Sequence, residues 1–558
     1  MIENIILNIR KSTLTHLTSF FLLIISFFIF LIGMSVSATN VYDEGLIVYG
    51  AQRVVDGDVP YKDFWSIYSP AQFWVLGGLF KAFGSSVLVE RIFDISIRAT
   101  ISLMVYILAK KYTSNLIAIS TWALSTLWLW HVGFYGFPVL PSLLFILISS
   151  LFFINFISSK QSTSNLFYAG GFAGVAALFR HDLGFYVFTA QVVSILLLRK
   201  SIYGSSSNKT TRYNQPSKDI IILSLAAAII GTPALIYLFS MVPAANIIDQ
   251  LIMFPATIYR EVRHLPYPSL YEAVQHSLWG FVEGRGVQSV KPIVSILPYY
   301  LNFIVVLFAA FFLASKASNN TTKKTNNKAF PAILYLSILV MLLFIKSTVR
   351  PHYIHLIQVI VPTILLGGII AYNYYGRLSP VISTASALLA LMMAVSPAYS
   401  LYSKLGKSNI FNINCKSLGI NKTFDRADCF HIGGNQQEAI NYIRLHTEPS
   451  DKIYVGNISH KKVFINDILF YFLSERDSAT MYHELHPGQI TTNSVQLEVI
   501  RNLKQWEVKY VVLQDKYEHI NEPNGSSLLT TAHELDNFIA NNYLEVARFG
   551  SYSIRHLR

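Results

Sequence analysis

A succession of apolar runs limits this 558-residue chain to few architectures. Runs at 17–38, 92–109, 114–130, 138–157, 165–180, 183–198, 219–241, 296–315, 330–346, 353–373 and 379–399 can be threaded through a bilayer at roughly 20 residues per helix. The shorter ones require shelter inside a bundle. With 53% hydrophobic and 13% charged residues, the chain is too apolar for a soluble globular protein. The first run is too long for the apolar region of a signal peptide and reads as a permanent helix. A net charge of +13 invites a nucleic-acid reading, but the basic residues gather at the ends of the apolar runs. With the N terminus cytoplasmic, Arg10, Lys11, Lys110, Lys111, Lys160, Arg377 and the linkers 199–218 and 316–328 fall on one side. The basicity is therefore topology, with no nucleic-acid partner, and the Ser-, Asn-, Thr- and Lys-rich linkers are solvated loops without chemistry.

The other side receives the loop 39–91, the turn 180–182, the segment 243–295, the turn 346–355 and the polar C-terminal third. In that third, helical patterns at 436–446, 468–475, 494–503 and 532–541 alternate with strand patterns at 452–456, 510–514, 544–549 and 552–557. Such alternation predicts a small α/β domain with a mostly parallel sheet. The expected fold is a polytopic α-helical membrane protein with about eleven transmembrane helices in residues 1–400. An extracytoplasmic α/β domain at 401–558 completes it, and the compartment is the inner or plasma membrane. Cys415 and Cys429, the only cysteines, open the external domain, where an oxidising compartment permits a disulfide and two free thiols are the alternative. His431 lies near Cys429, but without paired C-x-x-C spacing this is no metal signature.

Chemistry concentrates in the loop at 39–74. Asp43 and Glu44 stand side by side just past the first apolar run, followed by Tyr42's fellow aromatics Tyr49, Tyr61, Phe64, Trp65, Tyr68, Phe73 and Trp74. An interfacial aromatic belt accounts for the rings but not for adjacent acids followed by Asp56, Gly57, Asp58 and Pro60. A carboxylate pair at a membrane surface can act as a base, bind a divalent cation or bind a cationic group. The same side carries Arg260, Arg263, His264, Arg285 and Lys291, then Lys346, Arg350, His352 and His355. Cations opposite a carboxylate suit transfer of a group away from a phosphate: the leaving group is already charged and needs a cation, while the acceptor needs a base. The bland alternative for 346–355 is a helix end near headgroups. Arg180, His181 and Asp182 lie between two apolar stretches, where charges pair structurally or serve a pathway. His131, in an aromatic loop, reads as packing. The chain has no GxxxxGK[ST], HExxH or GxSxG motif, which disfavours a nucleotide-driven pump.

The loop Tyr42, Asp43, Glu44, Gly45, then Asp56 to Phe64, then Ser69 and Pro70, resembles the C-type-fold (GT-C) membrane glycosyltransferases. The similarity is to the family 39-like branch of protein O-mannosyltransferase and lipid A aminoarabinose transferase relatives. It extends to Phe83, Gly84 and Arg91, to 178–182, and to a polar turn holding Arg350 and His355. It covers residues 1 to about 400. The resemblance implies a polyprenyl-phosphate sugar donor and inverting transfer to an extracytoplasmic acceptor, which is a lipid, a glycan or a protein. It implies Asp43 as base, with Glu44 positioning the acceptor or supporting Asp43. Lys346, Arg350, His355 and Arg263 are similar to the donor-phosphate contacts; Arg180, His181, Asp182, Asp63 and Tyr61 support substrate or structure. The chain lacks the W-W-D motif of oligosaccharyltransferases, which leaves dependence on a divalent cation open. Two other classes compete: a transporter or flippase of lipid-linked saccharide, and a non-catalytic subunit of an envelope polysaccharide assembly. A transporter would favour internal repeats and polar residues at the midplane, whereas here they gather at one face. Sugar and acceptor are not legible.

Overall fold

The structure, a computed structural model, describes residues 2–35, 37–158, 162–199, 209–318, 329–374, 380–407, 426–427, 430 and 432–558. Cys415, Cys429, His431, Lys160 and Arg377 lie outside the described residues. A helix forms at each apolar run: Ile2–Ser35, Val87–Lys110, Asn115–His131, Val139–Ser158, Thr163–Phe179, His181–Leu197, Lys209–Met241, Lys291–Ser318, Phe330–Ser347, Tyr353–Tyr374 and Pro380–Lys407. Among the described residues, seven helical segments are long and apolar enough to cross a membrane, from Thr15–Ser35 to Tyr353–Asn373. The chain is an integral membrane protein. Three of the remaining helices have 17 residues each. At about 1.5 Å per residue these reach roughly 25 Å, short of the hydrocarbon thickness.

Inside the bundle, small residues permit close approach. Gly170 and Gly174, one turn apart, face the backbone of the Lys209–Met241 helix, and a Cβ at Gly174 would stand 2.8 Å from the Ala227 carbonyl oxygen. The N-terminal end of the Val87–Lys110 helix departs from this apolar pattern. It buries Glu90, Arg91, Asp94 and Arg98 at 1% exposure or less. Charges at that depth persist when paired with an opposite charge or hydrogen-bonded. Arg98 binds Asp94 at 2.7 Å and the carbonyls of Leu129 and Gly133, while Glu90 accepts the Gly136 amide. The result fixes the 132–136 loop above the bundle.

The loop 39–91 forms two helices, Asp43–Val55 and Ala71–Phe83, and these pack with the C-terminal residues rather than with lipid. Leu46, Ile47, Phe73 and Phe80 share one hydrophobic cluster with Ile440, Leu469, Phe472 and Val512. Backbone contacts seal the joint: the Leu469 amide donates to the Val41 carbonyl at 2.9 Å, and Trp65 N to Met481 O at 3.0 Å. Gly45 is required there, since an added Cβ would meet Leu469 Cα at 2.9 Å. Most aromatic residues of this loop are thus core, with Tyr61 and Phe64 fully buried and Phe83 the exposed exception.

The C-terminal residues build the expected helices Gly434–His446, Leu469–Ser474, Asn493–Gln505 and Glu534–Asn542, and four strands. These are β1 (Tyr454–Asn457), β2 (Tyr510–Gln514), β3 (Tyr543–Phe549) and β4 (Tyr552–Leu557), in the order β1-β2-β4-β3. The sheet is not mostly parallel: β1·β2 is parallel, but β2·β4 and β3·β4 are antiparallel. Only Gly550 and Ser551 join β3 to β4, with Gly550 at φ +55°, and a two-residue connection admits only an antiparallel hairpin.

Candidate active site

Asp43 is the first residue of the Asp43–Val55 helix, and Asn40 organises the turn before it. The Asn40 Oδ1 accepts the amides of Tyr42 (3.0 Å) and Asp43 (2.8 Å), so the acids enter the helix with fixed directions. The two then diverge. Asp43 stays half-buried, with Tyr135 Oη donating to its Oδ2 at 3.2 Å and Asn40 Nδ2 donating to the same oxygen at 3.2 Å. Glu44 turns into the protein, fully buried, and takes Arg91 bidentately at 2.6 and 3.0 Å together with the Asn40 amide at 2.9 Å. With both oxygens engaged, Glu44 ties the start of the helix to Arg91 and to the Asn40 backbone.

Burial pushes the Asp43 carboxyl above its ordinary range. The hydrogen bonds from Tyr135 and Asn40 and the charges of Arg263 and Arg350 pull the other way without cancelling it. Those two arginines come from separate segments and meet at Glu522, a residue of the C-terminal part. Arg350 donates Nη1 to Glu522 Oε2 at 3.0 Å and Nη2 to Oε1; Arg263 donates Nη1 to Oε2 at 3.2 Å. Arg350 also donates to the Arg263 carbonyl at 3.3 Å. Lys346 does not join this group. It pairs at 3.2 Å with Asp182, which Arg180 also holds at 2.7 and 3.0 Å. That trio is docked on the first loop through His181, whose backbone N–H donates to Ser69 Oγ at 3.1 Å, with Arg180 over the Tyr68 ring. His355 sits edge-on to Phe137, which in turn packs edge-on against Tyr135. Asp63 accepts the Val59 amide at 2.8 Å and closes the turn after Asp58. Tyr61, at φ +69°, donates to the Tyr68 carbonyl at 2.7 Å, and both shape the loop. His131 packs edge-on against Trp128 and Tyr353.

Sequence reasoning missed four contributors: Asn40, Tyr135, Glu522 and Glu484. Glu484, 2% exposed, accepts the Tyr42 hydroxyl at 2.8 Å, and burial together with the Asp43 charge raises its carboxyl to about 7 against the Tyr42 hydrogen bond and the Arg263 charge. The run 483–486, with its acid between two histidines, was the available signal for it; nothing marked Glu522 in its polar loop. Among the described residues, no group of three or more His, Cys, Asp or Glu side chains could hold a metal ion.

This arrangement, a helical bundle whose first polar loop is clamped beneath C-terminal residues, has the C-type fold of membrane glycosyltransferases, the class that the sequence resemblance names. Residues 68–212 match the family model described as dolichyl-phosphate-mannose-protein mannosyltransferase. The structure is similar to ArnT from Cupriavidus metallidurans bound to undecaprenyl phosphate, at TM-score 0.55 and 11% identity, over 96% of this chain and 97% of that one. It is also similar to the oligosaccharyltransferase of Archaeoglobus fulgidus in complex with Zn and sulfate, at TM-score 0.52 and 11% identity, over 89% of this chain and 68% of that one. No curated protein matches the chain by sequence.

Proposed function

We propose that this protein is a glycosyltransferase that moves a sugar from a polyprenyl-phosphate-linked donor to an extracytoplasmic acceptor, with inversion. The observation that carries the reading is a carboxylate of raised basicity, Asp43, standing in the electrostatic reach of a converging arginine pair, Arg263 and Arg350. Asp43 accepts the proton of the acceptor hydroxyl. The oxygen attacks the anomeric carbon, the bond from that carbon to the phosphate oxygen breaks, and the departing polyprenyl phosphate keeps the electron pair beside the two guanidinium groups. The raised proton affinity of Asp43 makes it a stronger base than an exposed Asp. Glu44 and Arg91 hold its helix, and Lys346, Asp182 and Arg180 brace the neighbouring wall. Eleven crossings, a cytoplasmic N terminus and an extracytoplasmic C-terminal domain belong to this reading, because they put both substrates on one face. The likeness to ArnT, whose structure holds undecaprenyl phosphate, supports the donor class.

The test is transfer by the purified protein in lipid with a panel of radiolabelled polyprenyl-phosphate sugars. Label should leave the carrier with wild type and stay on it with Asp43→Asn, which loses roughly a hundredfold or more of the rate while still binding donor. Full turnover by Asp43→Asn removes the base assignment. Movement of intact lipid-linked sugar across the bilayer without cleavage replaces the reading with transport.

A further inference from the structure

Glu522 is built into position. Its amide donates to Ser527 Oγ at 2.6 Å, and that hydroxyl returns a hydrogen bond to the Glu522 carbonyl at 2.7 Å. Asn524 Nδ2 donates to the carboxylate at 3.0 Å. Gly525 lets this loop lie against the backbone beside Arg263: a Cβ there would stand 3.2 Å from Val262 Cα and 3.4 Å from the Glu261 carbonyl. The carboxylate therefore reaches the arginines as part of a shaped turn. It does not saturate them. Arg263, 7% exposed, has a buried Nε with no hydrogen-bond partner among the described residues. Two guanidinium groups converging from separate segments, with donor capacity left over, suit a group with more oxygens and more charge than a carboxylate.

We propose that Glu522 is the resident counter-anion of the donor site: it occupies the place of the lipid phosphate while the site is empty, keeps Arg263 and Arg350 aligned, and competes with the phosphate for them. This rests on the reading that these arginines receive the polyprenyl phosphate. The competition has a use in turnover. The sugar-linked donor is a phosphodiester with one negative charge, whereas the product monoester carries about −1.5 to −2. The product would hold the arginines more tightly than the substrate, and a tethered carboxylate returning to them opposes that retention.

Equilibrium binding of polyprenyl phosphate to the purified protein in nanodiscs tests this. If Glu522 holds the pair in about nine of ten empty molecules, Glu522→Gln binds the lipid phosphate roughly tenfold more tightly, by the rule that apparent affinity scales with the competent fraction. Product inhibition of transfer should deepen in parallel, and Glu522→Asp should behave as wild type. Ser527→Ala, which loosens the turn and keeps the charge, should shift binding in the same direction by less. Equal or weaker binding by Glu522→Gln, with its thermal unfolding unchanged, overturns the competition. A different pattern marks failure of the underlying reading: Arg263→Gln and Arg350→Gln would both bind polyprenyl phosphate as wild type does.

Discussion

Replacing Arg91 by Met isolates the part of the site that is held from below. Arg91 is 1% exposed, pairs with Glu44 through two hydrogen bonds of 2.6 and 3.0 Å, and donates to the carbonyls of Met34 (3.1 Å), Ser37 (2.8 Å) and Ala38 (3.0 Å). Met keeps most of the volume and removes every donor. Glu44 then stays at 0% exposure with its countercharge gone. Breaking one side of a buried pair costs about 3–5 kcal/mol, because the surviving charge is desolvated without compensation. The three carbonyls add to that where water does not replace the arginine. Thermal unfolding in detergent, followed by tryptophan fluorescence, should fall by about 3–4 °C. Glu44→Gln in the Arg91→Met background should recover much of the loss, since a neutral amide tolerates the site better than a lone carboxylate. The cycle should report a coupling of about 2–3 kcal/mol. Glu44→Gln alone should lower stability yet keep transfer in the folded fraction. Wild-type stability of Arg91→Met, or strict additivity of the pair, would refute the argument. A folded but inactive Glu44→Gln would return Glu44 to the chemistry itself.

Two further outcomes follow from the same geometry. Gly45→Ala should destabilise the joint between the first loop and the Leu469–Ser474 helix by about 1–3 kcal/mol, because its Cβ meets backbone rather than a movable side chain; limited proteolysis of the 37–91 region would read this, and unchanged resistance would count against the packing. Glu484 carries a folded-state value of about 7 against 4.5 when exposed. The folded protein therefore holds a proton that the unfolded chain has lost, so the associated stability is fully present below 4.5 and disappears as pH rises through about 7. That is worth up to about 3 kcal/mol. Glu484→Gln should unfold at nearly the wild-type temperature at pH 4.5 and at a higher one at pH 8, and parallel pH profiles for the two would refute the assignment.

The helices were legible because their cause is local. An apolar run of about 20 residues has no other stable form in a bilayer, so the described helices stand where the runs do. The helices and strands of the C-terminal third were legible by periodicity for a related reason, whereas strand direction was not. The mostly parallel expectation came from counting alternating elements; the Gly550–Ser551 connection, one short turn, reversed it.

Within the site, the sequence by itself showed polar, charged segments between the apolar runs, which hold Asp43, Arg263 and Arg350. Their mutual arrangement was decided elsewhere. Asp43 and Glu44 are adjacent and chemically alike, and only the tertiary structure separates them, because Arg91 on another helix draws one carboxylate inward while Tyr135 and Asn40 hold the other half-exposed. Lys346 and Arg350 are four residues apart, yet Asp182 takes the first and Glu522 the second. Which partner a charge meets depends on segments up to hundreds of residues away, and a buried charge must find one at almost any separation because the alternative is desolvation without return. Composition and periodicity report what each residue needs; only the packed chain decides which residue supplies it.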